Sequence, residues 1–487
     1  RVVAARGERI FTAGSTELGL KVLSSTSMTG SGTLTVDSTA GFSTSGTLQI
    51  NDELFTYTGI STTTFTGVTR ATTSTTAANH SGNDVVSESW TQRDTGRTNA
   101  GKYNFERFNF DGNDKLICVD GTNAPVVFNS AMSATDVSTS AVSGAKFVAA
   151  HKNFMFYAGM SSTPQEVVFS VAQDEDDFTS GSGAGSFKVD DTIVGLKAFR
   201  NELFIFCENR IFKLSGTAAS NFVVEPVTRN IGCINGDTIQ EYAGDLMFLG
   251  PDGLRTVAGT ARIGDVELGT VSKNVQGLFD KNIVSSDLFE SVTIPDKTQY
   301  RIFFSKSTVT ESRTRGVICV MRENGFEFSE ILGVRPSCTD SFITSGDVII
   351  LQGSFDGYVH RQEKGNTFDG TTILGRYRGP DLSFGDAGIR KEMHRVILNY
   401  EPEAAISANL ILRYDNESTG AARPAPYALT TANVGAQYGS STYSTSSSTT
   451  QFVYGGATNP LVRQPVEGSG FTVALKVDDD GVSAPYS

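Results

Sequence analysis

The chain has 487 residues, with 40 Lys or Arg against 53 Asp or Glu, which gives a formal net charge of −13. This balance argues against a surface that grips nucleic acid, because such a surface needs clustered basic residues. The chain holds 50 Gly, 32 Phe and a single Trp, Trp90, beside many Ser and Thr. This composition is typical of short strands joined by tight turns, so an all-β fold is predicted.

The N-terminal part of the sequence indicates an entry segment followed by a small module. Residues 1–29 read as an entry segment whose strand or strands join the domain that follows. Residues 30–88 read as an inserted small β-module, because apolar and polar residues alternate at Leu34–Val36, Leu48–Ile50 and Leu54–Tyr57. That period of two indicates a small antiparallel sheet or barrel with one buried face.

The middle of the chain, residues 89–370, contains a repeat. Six apolar strands each follow an Asp or Asn turn, at spacings of 39 to 51 residues; the turn residues are Asp114, Asn153, Asn201, Asp245, Asp296 and Asp347. A repeat of this length built from short strands predicts a six-bladed β-propeller. A short helix is predicted over Val271–Lys281 as a decoration of this domain.

Residues 371–487 predict a C-terminal β-sandwich. Its strands are expected at His394–Tyr400, Ala408–Tyr414 and Phe471–Val477. The Ser- and Thr-rich stretch Gly439–Thr450 predicts a surface loop.

Three further features concern the compartment in which the protein is expected. The five cysteines stand singly without C-x-x-C spacing, which predicts reduced, buried thiols and neither disulfides nor structural zinc. No apolar run approaches the roughly 20 residues of a membrane span, so no span is expected. No signal peptide is visible in the first residues.

No motif points to catalysis or to a bound cofactor. The four histidines, His80, His151, His360 and His394, lie far apart in sequence and read as structural or surface residues. The acidic runs Asp174–Asp177 and Asp478–Asp480 offer carboxylates for calcium, but they lack the EF-hand spacing and read as solvated turns. We therefore predict no catalytic, cofactor-binding or metal-binding residues, and no enzyme.

Three segments resemble known proteins. The first includes Glu53, Arg70 and His80 within residues 41–80, and it resembles a small β-module of tailed-phage virion proteins. The second, residues 168–216, is similar to the propeller strands of podovirus tail nozzle proteins. The third, residues 481–487, resembles the end of the sandwich in those proteins.

The resemblance implies a structural component of a phage tail, found in the virion and synthesised in the host cytoplasm. The simplest role is the nozzle that closes and extends the DNA channel below the adaptor and portal. The implied partners are copies of the chain in a six-fold ring, the tail adaptor protein, the tail fibres, and DNA that passes without specific binding. An acidic wall suits such a passage, because it repels the DNA backbone.

Three alternatives stay open. The first alternative is a receptor- or glycan-binding propeller adhesin of the tail. The single Trp argues against it, because sugar-binding sites stack sugar rings on aromatic side chains. Another tail-hub or baseplate protein would have the same composition. A hydrolase of surface polysaccharide would need two carboxylates that meet roughly 5–9 Å apart across a groove.

Overall fold

The computed structural model describes residues 2–13, 21–22, 32–39, 42–50, 53–72, 75–80, 84–98, 101–257, 270–306, 315–323, 325–344, 346–355, 357–364, 367–368, 371–399, 407–430 and 461–479. The predicted all-β fold is confirmed, since the described part consists mainly of small antiparallel sheets. The chain divides into two compact units. Unit 1 comprises residues 1–331 and 335–360, and unit 2 comprises residues 332–334 and 361–487.

Apart from the inserted module, seven sheets follow one another along the described residues of unit 1. Sheet 1 joins the start of the chain to a later strand: Val2–Arg6, Arg9–Ala13 and Thr91–Asp94. Sheet 2 contains Asn104–Phe108, Lys115–Val119, Val126–Phe128 and Ala134–Asp136. Sheet 3 contains Phe147–His151, Phe154–Met160, Thr163–Phe169 and Gly185–Lys188. Sheet 4 contains Ile193–Phe199, Glu202–Cys207, Ile211–Ser215 and Val223–Thr228.

Three more sheets follow in the same up-and-down order. Sheet 5 contains Gln240–Tyr242, Asp245–Gly250 and Gly253–Thr256. Sheet 6 contains Leu288–Ile294, Gln299–Ser305, Arg315–Arg322 and Gly325–Leu332. Sheet 7 contains Pro336–Thr344, Asp347–Ser354 and Val359–Arg361.

The six predicted repeats correspond to sheets 2–7, because each repeat strand is the second strand of its sheet. Sheet 1 is an additional sheet that the repeat did not reveal. Its strands are separated in sequence by the inserted module, so no continuous repeat unit marks it. The turn residue Asn153 has φ +64, a left-handed conformation that Asn adopts more readily than most residues.

Neighbouring sheets bury their faces against each other. Separate apolar clusters join sheets 1 and 2, 2 and 3, 3 and 4, 4 and 5, and 5 and 6. Sheets 6 and 7 are joined where the Thr339 hydroxyl donates to the Ser291 carbonyl at 2.9 Å. Gly357, in the turn between the second and third strands of sheet 7, lies close to the guanidinium of Arg6 in sheet 1. The seven sheets thus pack in chain order and the last comes near the first; we call this arrangement the cycle.

The turns between first and second strands lie together at one end of this cycle. Lys152 donates to the Asn201 side chain at 3.1 Å, and Arg200 donates to the Gly244 carbonyl at 2.7 Å. The Tyr242 hydroxyl donates to the Thr298 carbonyl at 2.8 Å. These contacts link the corresponding turns of sheets 3, 4, 5 and 6, and we call this surface the turn end.

The inserted module has a core of its own. Its sheets are Lys21–Val22, Val85–Glu88, Gly46–Ile50 and Glu53–Tyr57, and Gly32–Thr35, Thr64–Val68 and Gly59–Ile60. Leu48, Phe55 and Phe65 are fully buried between them. The described strands of this module begin at residue 21, before the predicted start at 30, and in the chain the module lies between the second and third strands of sheet 1.

Other elements of unit 1 differ in detail from the predictions. The helix predicted over Val271–Lys281 is a short 3-10 turn, Lys273–Val275, followed by an α-helix, α1, at Gln276–Ser285. Further 3-10 turns are Ser180–Ser182, Ala219–Asn221, Gly236–Thr238 and Pro295–Lys297. All five cysteines are free thiols, and Cys338 alone among them is exposed. Within the described residues, no helix has the length and apolar character that crossing a membrane requires.

Unit 2 is built around a four-stranded sheet of Gly375–Arg378, Val473–Asp479, Ser407–Tyr414 and Tyr427–Thr430. Three strand pairs accompany it: Arg395–Asn399 with Leu461–Pro465, Lys391–Glu392 with Ser469–Gly470, and Thr367–Phe368 with Thr371–Thr372. A 3-10 turn lies at Asp415–Glu417. The core of unit 2 includes Leu410, Leu412, Tyr414, Val396 and Val473. The predicted loop Gly439–Thr450 and residues 481–487 lie outside the described residues.

Candidate functional site

A cluster of charges joins three sheets of unit 1. The ammonium of Lys102, just before the first strand of sheet 2, lies 2.8 Å from the Asp237 carboxylate. It also contacts the Glu290 carboxylate on the first strand of sheet 6. Asp237 belongs to the 3-10 turn before sheet 5. Because sheets 2 and 5 are not neighbours in the cycle, this cluster lies toward its centre.

Other charges come from the first strands of further sheets. Glu106 belongs to sheet 2, Lys197 to sheet 4 and Asp340 to sheet 7. The Ala150 amide of sheet 3 donates to Glu106 at 3.4 Å. Desolvation raises the pKa of Glu106 and of Asp340, while the charge of Lys197 acts in the opposite direction on both. The first strands of sheets 2, 3, 4, 6 and 7 thus share one polar centre.

Burial decides the protonation of the cluster. The Glu290 side chain is only 4% exposed. Desolvation raises its pKa to about 8, and the nearby Asp237 adds to this rise, while Lys102 opposes it. With a pKa of about 8, Glu290 is largely protonated at neutral pH. The arrangement holds sheets together through charge-assisted contacts and changes its charge when the pH rises.

A second polar cluster lies in the inserted module. The guanidinium of Arg70 binds the buried Glu53 carboxylate with two bonds, of 2.9 and 2.7 Å. His80 Nε2 lies 2.8 Å from the same carboxylate, and the Ala71 and Ala78 amides donate to it at 3.1 and 2.9 Å. Desolvation raises the pKa of Glu53, but these donors outweigh it and lower the pKa to about 2.

This cluster brings together three of the residues in the pattern that resembles a phage module. Glu53 and His80 are 27 residues apart, and Arg70 lies between them in sequence. The Glu53 carboxylate ties residues 70–71 and 78–80 to the sheet, because two side chains and two backbone amides from these residues converge on it. The sequence identified these residues only through the resemblance, since spacing alone does not show that they meet.

The other residues considered from the sequence are dispersed. His151 is buried, and desolvation together with the charge of Lys152 lowers its pKa to about 4. His360 is half-buried and His394 is exposed. Within Asp174–Asp177, Glu175 is buried and its carboxylate lies 2.5 Å from the Lys115 ammonium. Asp478 pairs with Arg376 and Lys476, and residue 480 lies outside the described part of the chain.

No group of three or more His, Cys, Asp or Glu side chains that could hold a metal ion is found among the described residues. The central cluster was missed by the sequence analysis. Lys102, Asp237 and Glu290 are isolated in sequence, and the only local signal is a carboxylate within the otherwise buried strand Leu288–Ile294.

Comparisons with known proteins give little further guidance. No family model matches the chain, and no curated protein matches it. The N-terminal domain of Nup159 aligns with 50% of this chain and 71% of its own, at 12% identity and a TM-score of 0.31. PorZ, a surface component of the type-IX secretion system of Porphyromonas gingivalis, aligns over 73% and 43%, at 10% identity and a TM-score of 0.33.

A third structure is the extracellular domain of a one-component system from B. thetaiotaomicron. It aligns over 74% of this chain and 40% of its own, at 10% identity and a TM-score of 0.32. The matched regions thus span less than half of the two bacterial proteins. At these TM-scores the three likenesses carry no argument about function.

Proposed function

We propose that the chain is a structural, non-catalytic subunit of a phage tail, most simply the nozzle that extends the DNA channel. The observation that carries this proposal is the cluster of Glu53, Arg70 and His80. These residues are part of the pattern that resembles a phage virion module, and in the structure Arg70 and His80 both bind the Glu53 carboxylate of that module's sheet. If Glu53, Arg70 and His80 had been far apart in the structure, the sequence resemblance would have had no structural counterpart.

The finer fold assignment belongs to the same proposal. The closed cycle of unit 1 is a β-propeller in which sheets 2–7 are the six repeats predicted from sequence and sheet 1 is a seventh blade. Unit 2 is the C-terminal β-sandwich. A closed cycle leaves few free strand edges, which suits a particle that persists outside a cell.

In this proposal the DNA passage lies between subunits. Contacts among Lys102, Asp237 and Glu290 bring non-adjacent sheets together, which supports a passage outside the cycle of a single subunit. A channel would instead be enclosed by copies of the chain in a ring, with an adaptor protein above and tail fibres attached outside. Unit 1 contributes the acidic wall, with 29 Lys or Arg against 40 Asp or Glu.

Immunogold electron microscopy on particles from the source lysate tests the proposal, with antibody raised against this chain and pre-immune serum as the control. We expect gold at the distal end of a short tail. Gold on the fibres would favour the adhesin, and gold elsewhere on the tail would favour a hub or baseplate protein. Particles without gold would contradict a virion role.

A further inference from the structure

Unit 2 exposes a group of apolar side chains on one continuous segment and its neighbour. Phe384 and Ile389 are each 59% exposed, Leu382 is 44% exposed and Phe471 is 43% exposed. Leu382, Phe384 and Phe471 lie around one surface depression together with Met393 and Tyr414. We call Leu382, Phe384, Ile389, Arg390, Lys391 and Phe471 the apolar-basic patch. Contiguous exposed apolar groups with a polar rim are typical of interaction surfaces.

The backbone presents Phe384 to solvent at a cost. Its φ is +46, a left-handed conformation that is unfavourable for a bulky side chain. Exposed Phe in such a conformation gains nothing for the isolated fold. Strain of this kind, where it persists, is characteristic of binding surfaces.

The cations of the patch have no carboxylate partner among the described residues. The guanidinium of Arg390 lies over the ring of Phe471, 5.9 Å from its centroid, and donates to Ser469 Oγ at 3.0 Å. The Lys391 ammonium contacts only the backbone carbonyl of Asp386. Two positive charges beside an apolar surface therefore face outward, on a unit that carries 11 basic and 13 acidic residues.

Unit 1 carries a group of negative charges on two neighbouring turns. Asp111, Asp174, Asp176 and Asp177 lie in turns of sheets 2 and 3, and no described cation pairs with any of them. Asp111 and Asp176 both act on the Lys115 ammonium, so the two turns are neighbours. A side-chain hydrogen bond with Asp174, desolvation and the charge of Asp174 raise the pKa of Asp176 to about 6. An incoming cation would favour the ionised form of both carboxylates. We call these four residues the acidic corner.

We infer that the apolar-basic patch of one copy of this chain binds the acidic corner of a second copy. Charge complementarity identifies the partner. Arg390 and Lys391 have no described carboxylate partner, the four carboxylates of the acidic corner have no described ion pair, and the whole of unit 1 has a net charge of −11. The two surfaces differ, so the contact is heterologous and propagates into a ring or an open chain. The inference identifies the contact between subunits and rests on the proposed ring.

Complementation between two variants of the full chain tests this. The patch variant is Phe384→Asn with Arg390→Glu; Asn tolerates the left-handed conformation at 384. The corner variant is Asp174→Lys with Asp176→Lys. Val284→Asn, at an exposed apolar residue of α1, is the matched control. Mass is measured by sedimentation velocity at low and high salt, and circular dichroism verifies that each variant is folded.

We expect the wild-type chain and the Val284→Asn control to associate, more weakly at high salt because the contact is electrostatic. Each variant alone should be monomeric or at least tenfold weaker in self-association. An equimolar mixture should form heterodimers and nothing larger, because one intact patch then meets one intact corner.

Three results would overturn the inference. A monomeric wild-type chain at all concentrations means that no second copy is bound. Self-association of the corner variant at wild-type strength means that the patch pairs with another surface, including itself. A monomeric mixture means that the two surfaces do not meet. These results are independent of the immunogold experiment, since a non-virion protein would still show the heterodimer.

Discussion

Lys102 and Glu290 are 188 residues apart in the chain, yet their charged groups are in direct contact within unit 1. The contact joins the segment that enters sheet 2 to the first strand of sheet 6. Asp237, before sheet 5, completes the group. Three sheets are thus tied together by polar groups.

The protonation of Glu290 makes the stability of unit 1 depend on pH. Its folded pKa of about 8 lies above the ordinary value of 4.5, so the folded chain holds a proton that the unfolded chain releases. The resulting stability is complete below pH 4.5 and is lost as the pH rises through about 8. Between these pH values the free energy of unfolding of the wild type should fall by roughly 3–5 kcal/mol. Glu290→Gln should abolish this decrease.

Denaturant unfolding at pH 4, 7 and 8.5 measures that effect. The variant should match the wild type at pH 4 and exceed its stability by an increasing amount at pH 7 and pH 8.5. Glu241→Gln, at an exposed carboxylate of sheet 5, should leave the pH profile unchanged. An identical slope for Glu290→Gln and wild type would show that Glu290 is ionised in the folded chain.

Removing the cation of the cluster should lower the free energy of unfolding of unit 1. Lys102→Met leaves Asp237 and Glu290 together without a counter-charge, and breaking a buried pair in this way costs about 3–5 kcal/mol. Adding Asp237→Asn to Lys102→Met should restore part of the loss, because it removes the carboxylate that is then unpaired. Thermal unfolding of the single and double variants tests this. If the two substitutions are simply additive, the contact is not energetically coupled.

The Glu53 cluster predicts a local effect in the inserted module. Glu53→Gln removes the charge to which Arg70, His80 and two amides bind, and should cost about 3–5 kcal/mol within the module. Hydrogen exchange of peptides from residues 46–80 should accelerate, while sheets 2–6 stay protected, because the module has its own core. The exposed Asp37→Asn is the control within the module.

The same carboxylate predicts acid sensitivity. Its folded pKa of about 2 lies below the ordinary 4.5, so the stability it contributes is present above pH 4.5 and is lost as the pH falls through about 2. Module peptides should therefore lose protection from exchange in acid before peptides of sheet 3 do. Simultaneous loss in both regions would show that the module does not unfold separately.

The cysteines give a direct test of burial. Cys338 is exposed, whereas Cys118, Cys207, Cys233 and Cys319 are buried. A thiol reagent should label one site per chain in the native state and five after unfolding. Native labelling should be slow, because desolvation raises the pKa of the Cys338 thiol and the thiolate is the reactive form. Cys338→Ser should abolish it, and labelling of a second native thiol would contradict the packing described.

The sequence by itself determined the all-β fold and the six repeat strands, because alternation of apolar residues and Asp or Asn turns are local signals. The second strands of sheets 2–7 lie where the repeat predicted them. It also pointed to Glu53, Arg70 and His80, although only through a resemblance.

The tertiary structure alone decided which distant residues meet. Sheet 1 forms from strands more than 70 residues apart, such as Arg9–Ala13 and Thr91–Asp94, so no local period could show it. Lys102, Asp237 and Glu290 carry no distinguishing pattern, and their pairing follows only from the packing of the sheets. Long-range electrostatic contacts depend on position in space, and a one-dimensional pattern records only neighbours along the chain.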